Sequence, residues 1–351
     1  MTLRLLCLPG DGIGPEISAA TADVLRAAAV AENVTLELEQ AQIGFDALAE
    51  HGTTIPDSVV SAAKAVDGVI LGPVSHNAYP PVAEGGLNPS GVLRRELQLF
   101  ANIRPARSHA VLPTPTGAAV DLVVVRENLE GFYADRNMAE GSGEFAPVPG
   151  VGLAMRKITR AASLAIARAG FALAATRPAQ KVAAIHKANV LRLTDGIFLD
   201  AVRETAKDYP NIAYEEVLVD AAAALLVRDP ARFDVLIATN MYGDILSDLA
   251  SELAGGLGLA ASLNHGTHYA VAQAQHGSAP DLAGQDRANP ASLIGSAAML
   301  MRHIGQAAMA DRMDIALAAA VSEPATRTTD LAGQAGTQAM TKAIVDHIKR
   351  G

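Results

Sequence analysis

The chain has 351 residues, half of them hydrophobic, one cysteine and a formal charge of −9 at pH 7. That is enough apolar material for a large α/β unit or two domains, and a pI near 5.5 argues against a nucleic-acid or anionic-membrane footprint. Cys7 alone forms no internal disulfide, no apolar stretch has spanning length, and Met1–Leu8 is too short for a signal peptide; a cytoplasmic, non-membrane protein with small-molecule partners is expected.

Short apolar runs alternate with longer alanine- and leucine-rich helical patterns, which predicts an α/β fold. A first strand over Leu3–Leu8 leads into Gly10-Asp11-Gly12-Ile13-Gly14-Pro15-Glu16 and a helix over Pro15–Ala29. The glycines are spaced G-x-G-x-G and Pro15 stands where a dinucleotide fingerprint ends in glycine, so this reads as a tight strand-to-helix turn rather than a standard Rossmann motif. A strand over Gly68–Leu71 follows, then a proline- and glycine-containing loop over Tyr79–Pro89.

The next stretch carries Arg94 and Arg104, and Arg126 ends a strand over Leu122–Val125. Guanidinium groups bind carboxylates in bidentate fashion, so convergence of the three would suit a substrate with two or three carboxylates; isolated surface arginines are the ordinary alternative. Tyr133 lies shortly after that strand. A helix over Ile158–Ala174 precedes a strand over Lys181–Ile185, with Lys187 and Asn189 just beyond it and a helix over Arg192–Lys207. A lysine and a tyrosine at strand ends can move protons, or can be structural.

The most informative run is Asn240-Met241-Tyr242-Gly243-Asp244-Ile245-Leu246-Ser247-Asp248, after an apolar strand over Val235–Ala238. On a helix, Asp244 and Asp248 lie one turn apart on one face, where both can reach one cation, and oxygen-only ligands suit Mg²⁺ or Mn²⁺. The plain alternative is a solvated helix face. Further on, His276-Gly277-Ser278-Ala279-Pro280-Asp281-Leu282, with Asn289, offers glycine backbone for close approach to a nucleotide. Asp281 can accept bonds from ribose hydroxyls and repel a 2′-phosphate, favouring NAD over NADP. A helix over Ser292–Ile304 follows.

Together, GDGIGPE, LRRELQLFANIRPAR, RENLEGFY, HKANVLRLTDG, TNMYGDILSD and HGSAPD resemble the isocitrate and isopropylmalate dehydrogenase family of β-decarboxylating dehydrogenases, in the family's order and over nearly the whole chain. The resemblance implies a two-domain α/β fold with a shared mixed sheet, unlike a standard Rossmann domain. Residues 1–98 and 254–351 would form a large domain with the NAD loop, and residues 99–253 a small central domain with metal and dimer contacts. It also implies a homodimer whose active sites draw on both subunits.

By motif, Arg94, Arg104 and Arg126 resemble the arginines that hold the malate part of the substrate. Tyr133 resembles the acid that protonates the enol carbon, and Lys187, with Asn189 nearby, the partner-supplied lysine that assists removal of the hydroxyl proton. Asp244 and Asp248 resemble metal ligands, with Asp220 as the third from the partner chain; His276 to Leu282 and Asn289 resemble the adenosine loop. The implied reaction is metal-dependent oxidative decarboxylation of a 2-hydroxy acid bearing a 3-carboxylate, with hydride passing to NAD and release of CO₂.

Asn88 and Ser90 precede Arg94 in the segment that touches the C3 substituent in this family, where isopropylmalate-specific members resemble one another in placing leucines at the positions of Ser90 and Gly91. Polar side chains there favour a polar substituent, as in isocitrate, homoisocitrate or tartrate. Isopropylmalate or D-malate is the alternative, and a catalytically silent metabolite-binding relative is the alternative of another class. Gln273-Ala274-Gln275 also replaces the Glu-Pro-Val that many members carry before this histidine.

Overall fold

The computed structural model describes residues 2–133 and 143–350. In chain order the first elements are β1 (Thr2–Leu8), α1 (Gly14–Ala31), β2 (Thr35–Gln40), α2 (Phe45–His51), α3 (Asp57–Ala63), β3 (Gly68–Leu71) and α4 (Pro89–Glu96). The middle of the chain forms β4 (Ala101–Arg107), β5 (Asp121–Glu127), β6 (Glu144–Val148), β7 (Val151–Ala154), α5 (Arg160–Thr176), β8 (Lys181–His186), α6 (Arg192–Ala206), β9 (Ala213–Leu218), α7 (Val219–Arg228), β10 (Val235–Ala238) and α8 (Asn240–Ala254). The last part forms β11 (Leu263–His265), β12 (Ala270–Gln273), α9 (Ala291–His303), α10 (Ala307–Ser322) and α11 (Thr337–Arg350).

These fall into two compact units, Met1–Leu97 with Gly256–Gly351, and Gln98–Gly255. In the first, the strand order is β2-β1-β3-β12-β11, with β11 antiparallel to β12 and the other pairs parallel. β3 is buried along its whole length, with β1 and β12 pairing its two edges, as expected for a central strand of a parallel sheet whose faces carry helices. The turn after β1 is tight for a physical reason: Gly10 and Gly12 have positive φ, and a Cβ on Gly12 would stand 2.0 Å from the Ser278 carbonyl oxygen. Asp11, itself buried, braces the turn by accepting from the Phe45 and Ser75 amides and the Tyr79 hydroxyl.

In the second unit the order is β4-β5-β10-β8-β9, with β4 antiparallel to β5 and the remainder parallel. One face buries Leu122, Val124, Leu236, Leu226 and Leu246; the other buries Val125, Ile237, Ile166, Phe171 and Phe198. Gly170 of α5 lets that helix approach β10, since a Cβ there would meet the Ile237 side chain at 2.5 Å.

The expected strands and helices are present with ends that differ by a few residues. The segment read as a loop over Tyr79–Pro89 is corrected in part: Val82–Glu84 makes a 3₁₀ turn, and Pro89 opens α4, where a missing N–H costs nothing at the first helical position.

Candidate active site

Antiparallel register brings Arg104 and Arg126 together. Asn102 pairs with Arg126 and Arg104 with Val124, so the two arginines occupy the same sheet face as diagonal neighbours. β5 and β10 run parallel with Arg126 opposite Ala238, and α8 starts two residues later. Arg126 therefore meets the first turns of α8, donating to the Asn240 side-chain oxygen at 2.8 Å and to Asp244. Gly243 makes the approach possible, because a Cβ there would stand 2.7 Å from the Arg126 Cβ.

Arg104 donates to Ser247 Oγ at 2.8 Å, to Asp244 at 3.1 Å and to Asp248 at 3.4 Å. The Tyr133 hydroxyl donates to the other Asp244 oxygen at 3.3 Å, and the Arg126 guanidinium lies 5.9 Å from the Tyr133 ring centroid. Five predicted site residues thus form one cluster: Arg104, Arg126, Tyr133, Asp244 and Asp248. Both arginines are buried, whereas Asp248 is half exposed. Burial pushes the Asp248 carboxyl up; Arg104 pulls it down and Asp244 pushes it further up.

Lys187 and Asp220 form a second pair. Lys187 follows β8 and donates through Nζ to Asp220 in the first turn of α7 at 2.6 Å, which holds the exposed Asp220 carboxyl below its ordinary value. Asn189, two residues on, is exposed. Among the described residues no three acidic, histidine or cysteine side chains gather as a metal site. The two-carboxylate set on α8 suits a divalent cation on chemical grounds, because its oxygens are hard, anionic donors one helical turn apart.

Sequence reading missed what anchors these residues. Asp195, fully buried in α6, accepts from the Lys187 backbone amide and forms an ion pair with Arg156 at 2.6 Å. Arg156 also reaches Thr194 and Thr239. Asp195 stands in the HKANVLRLTDG motif, but its partner lies 39 residues earlier in the chain. Glu127 and Glu130 hold the segment leading to Tyr133: Glu127 accepts from the Leu129 and Glu130 amides, and Glu130 from the Thr159 amide and hydroxyl. Burial pushes the Glu127 carboxyl up to about 7, against the pull of those amides.

In the first unit, His276, Gly277, Ala279, Leu282 and Asn289 line a cavity of about 280 Å³ with Ile13 and Asp330. The His276 Nδ1 lies 3.0 Å from the Gly277 carbonyl oxygen, which only accepts, so Nδ1 carries the proton and Nε2 is an acceptor. That Nε2 is buried with no hydrogen-bond partner among the described residues, and burial lowers the ring's proton affinity. An unfilled acceptor in such a cavity fits an amino-bearing heterocycle such as adenine.

Other loop residues serve the protein itself. Ser278 bonds Ser75 through its hydroxyl and Ile13 through its carbonyl, and Asn289 donates to Asp330 at 2.8 Å while accepting from the Ala291 amide. Pro280 and Asp281 are exposed in a 3₁₀ turn, and Gly277 is exposed before it. We expect His276→Phe to raise KM for the dinucleotide on the order of tenfold with kcat within about twofold; initial rates against dinucleotide concentration check this, and an unchanged KM rejects it.

The residues near the expected substituent pocket have structural partners. Asn88 caps α4, its side-chain oxygen accepting from the Gly91 amide at 3.3 Å. Ser90 is buried and donates to the Gln273 side-chain oxygen at 3.0 Å. Arg94 is half-buried one turn beyond Ser90 on the same face of α4.

A family model described as isocitrate/isopropylmalate dehydrogenase matches residues 4–348. The isocitrate/homoisocitrate dehydrogenase of Thermus thermophilus is 41% identical over 350 residues, covering 99% of each chain. The 3-isopropylmalate dehydrogenase of Archaeoglobus fulgidus is 40% identical over 336 residues, covering 94% of each. The crystal structure of an isocitrate dehydrogenase from Methylococcus capsulatus superposes with a TM-score of 0.89 at 38% identity, covering 99% of this chain and all of that one. Among the described residues no helix is long and apolar enough to cross a membrane.

Proposed function

Because the chain belongs to the isocitrate/isopropylmalate dehydrogenase family, whose members are decarboxylating dehydrogenases of hydroxy acids, we propose that it oxidises a 2-hydroxy acid bearing a 3-carboxylate, passes hydride to NAD and releases CO₂. The observation that carries this reading is the convergence of Arg104, Arg126 and Tyr133 on Asp244, beside Asp248.

Each side chain has a role its chemistry can fill. Arg94, Arg104 and Arg126 would hold the substrate carboxylates through guanidinium N–H donors. Lys187 of a second copy would assist removal of the 2-hydroxyl proton as hydride leaves C2. After CO₂ departs, Tyr133 would return a proton to C3. Asp244 and Asp248, with Asp220 from a second copy, would hold Mg²⁺ or Mn²⁺, which supplies Lewis-acid polarisation of the substrate's 2-oxygen. NAD rather than NADP is favoured by Asp281, and His276 Nε2 would receive the adenine amino group.

A homodimer is part of the proposal. Lys187 and Asp220 bond each other, and apolar side chains lie exposed in the same unit: Phe145, Val148, Val151 and Leu153 on the β6–β7 hairpin, and Ile245 on α8. An exposed apolar hairpin is a surface that a second copy can cover. A cytoplasmic location is likewise proposed, from the single buried, unpaired cysteine.

The substrate we favour has a polar C3 substituent, as in isocitrate or homoisocitrate; tartrate, isopropylmalate and D-malate are the other members of the test. The test is NADH formation by the purified protein across these five with Mn²⁺ or Mg²⁺, with NADP and chelator controls. We expect chelator to abolish turnover and added metal to restore it. Chelator-resistant turnover without CO₂ release would reject the reading, and turnover of none would favour a silent relative.

A further inference from the structure

Gln273 ends β12, and its side-chain oxygen accepts from Ser90 at 3.0 Å and from Asn264 at 3.5 Å. Its backbone carbonyl is fixed as well, by the Ser262 hydroxyl at 2.7 Å and the Ser296 hydroxyl at 3.0 Å. With the oxygen turned onto two donors, the amide nitrogen points away from them, and Nε2 has no hydrogen-bond partner among the described residues. The side chain is half-buried. A primary amide held in this way presents two N–H donors in one orientation and carries no charge.

Ser90 and Arg94 stand one turn apart on one face of α4, so the residue that holds the amide is adjacent on the helix to a guanidinium suited to carboxylates. A carboxylate side chain at position 273 would be repelled by an anionic oxygen approaching this face; an amide donates to it. We infer that Gln273, oriented by Ser90, is a specificity-determining residue that donates through Nε2 to a carboxylate or hydroxyl oxygen on the substrate's C3 substituent. This deepens the proposed function and rests on it.

The recognition is directional. An isopropyl group offers no acceptor and would leave the amide nitrogen dry and unpaired, whereas an unsubstituted C3 leaves room for water to fill the donor. Ser90 acts through the amide: without its hydroxyl the amide can rotate, and the donors are no longer aimed.

The test compares wild type with Gln273→Glu, which keeps the shape and removes the donors, and with Ser90→Ala. Substrates are isocitrate and homoisocitrate, which carry a carboxylate on the C3 substituent, and D-malate, which has none; KM for NAD is measured alongside. Gln273→Glu should lower kcat/KM for the preferred carboxylate-bearing substrate about tenfold to a hundredfold while D-malate changes less than about threefold. Ser90→Ala should shift the same ratio in the same direction by less. An equal fall on all substrates, an unchanged ratio, or a change confined to KM for NAD overturns the inference while leaving the decarboxylating reaction in place. Wild-type protein that turns over none of these three but oxidises isopropylmalate overturns the inference and leaves the decarboxylating reaction in place; turnover of none of the five substrates overturns the functional reading and the inference with it. An unchanged melting temperature for Gln273→Glu excludes misfolding as the cause.

Discussion

If the proposed reaction is correct, replacing Asp244 with asparagine should lower kcat/KM by about a thousandfold or more, through loss of a charged oxygen ligand for the proposed divalent cation. Asparagine matches the shape of aspartate and still offers one oxygen to Arg104 or Arg126, so the geometry of the cluster survives. The charge does not. Asp244 lies within hydrogen-bond reach of both arginines, and Asp248 alone remains on that face of α8. Because the Asp244 side chain is 34% exposed, and Ser247, Asp248, Asn240 and the asparagine oxygen still accept from the two buried arginines, its loss should cost less stability than breaking a fully buried pair. The expected result is therefore split: turnover collapses and the metal requirement shifts to higher concentrations, while the melting temperature moves by no more than about 3 °C. Steady-state rates against Mn²⁺ concentration and a thermal melt make both measurements. Turnover within about tenfold of wild type, at an unchanged metal requirement, would rule out a ligand role.

The largest stability effect is expected at Asp195. Its carboxylate is completely buried, and Arg156, with 7% side-chain exposure, depends on it for charge balance. Breaking a buried ion pair from one side leaves an uncompensated charge in a poorly solvated place, at a cost of about 3–5 kcal/mol. Thr194 and Thr239 would still bond the guanidinium, but hydroxyl dipoles do not neutralise it. Asp195→Ala should thus lower the melting temperature by about 10 °C, on the usual scale of roughly 2–4 °C per kcal/mol for a unit of this size. Activity at low temperature should fall as well, since the Lys187 backbone amide loses its acceptor and the lysine its fixed origin. Urea unfolding and a melt are the readouts; a shift below about 2 °C would mean that the pair contributes nothing net.

These two residues show different degrees of legibility. Asp244 could be singled out as a candidate because its information is local: an apolar strand, a strand-to-helix transition, and a second carboxylate four residues on. The HGSAPD loop was visible for a similar reason, as glycine, proline and an acceptor-bearing histidine lie together. Asp195 was not, because nothing within ten residues of it shows that Arg156 will be buried against it. Ser90 was legible as a polar residue shortly before Arg94, but its bond to Gln273, 183 residues away, was not.

By itself, the amino-acid sequence determined the alternation of strands and helices, the tight turn at Gly10–Gly14, the family and which residues are candidates for the site. Those features depend on periodicity, on glycine's backbone freedom and on motif order, all of which are written along the chain. The tertiary structure alone decided which charges meet. Register across β4 and β5 sets Arg104 and Arg126 on one face, and the absence of a side chain at Gly243 lets α8 settle against them. Burial of Arg156 and Asp195 makes their pairing obligatory. The physical reason is common to all three: strand pairing and desolvation act between segments distant in the chain, and no local pattern of residues encodes the partner.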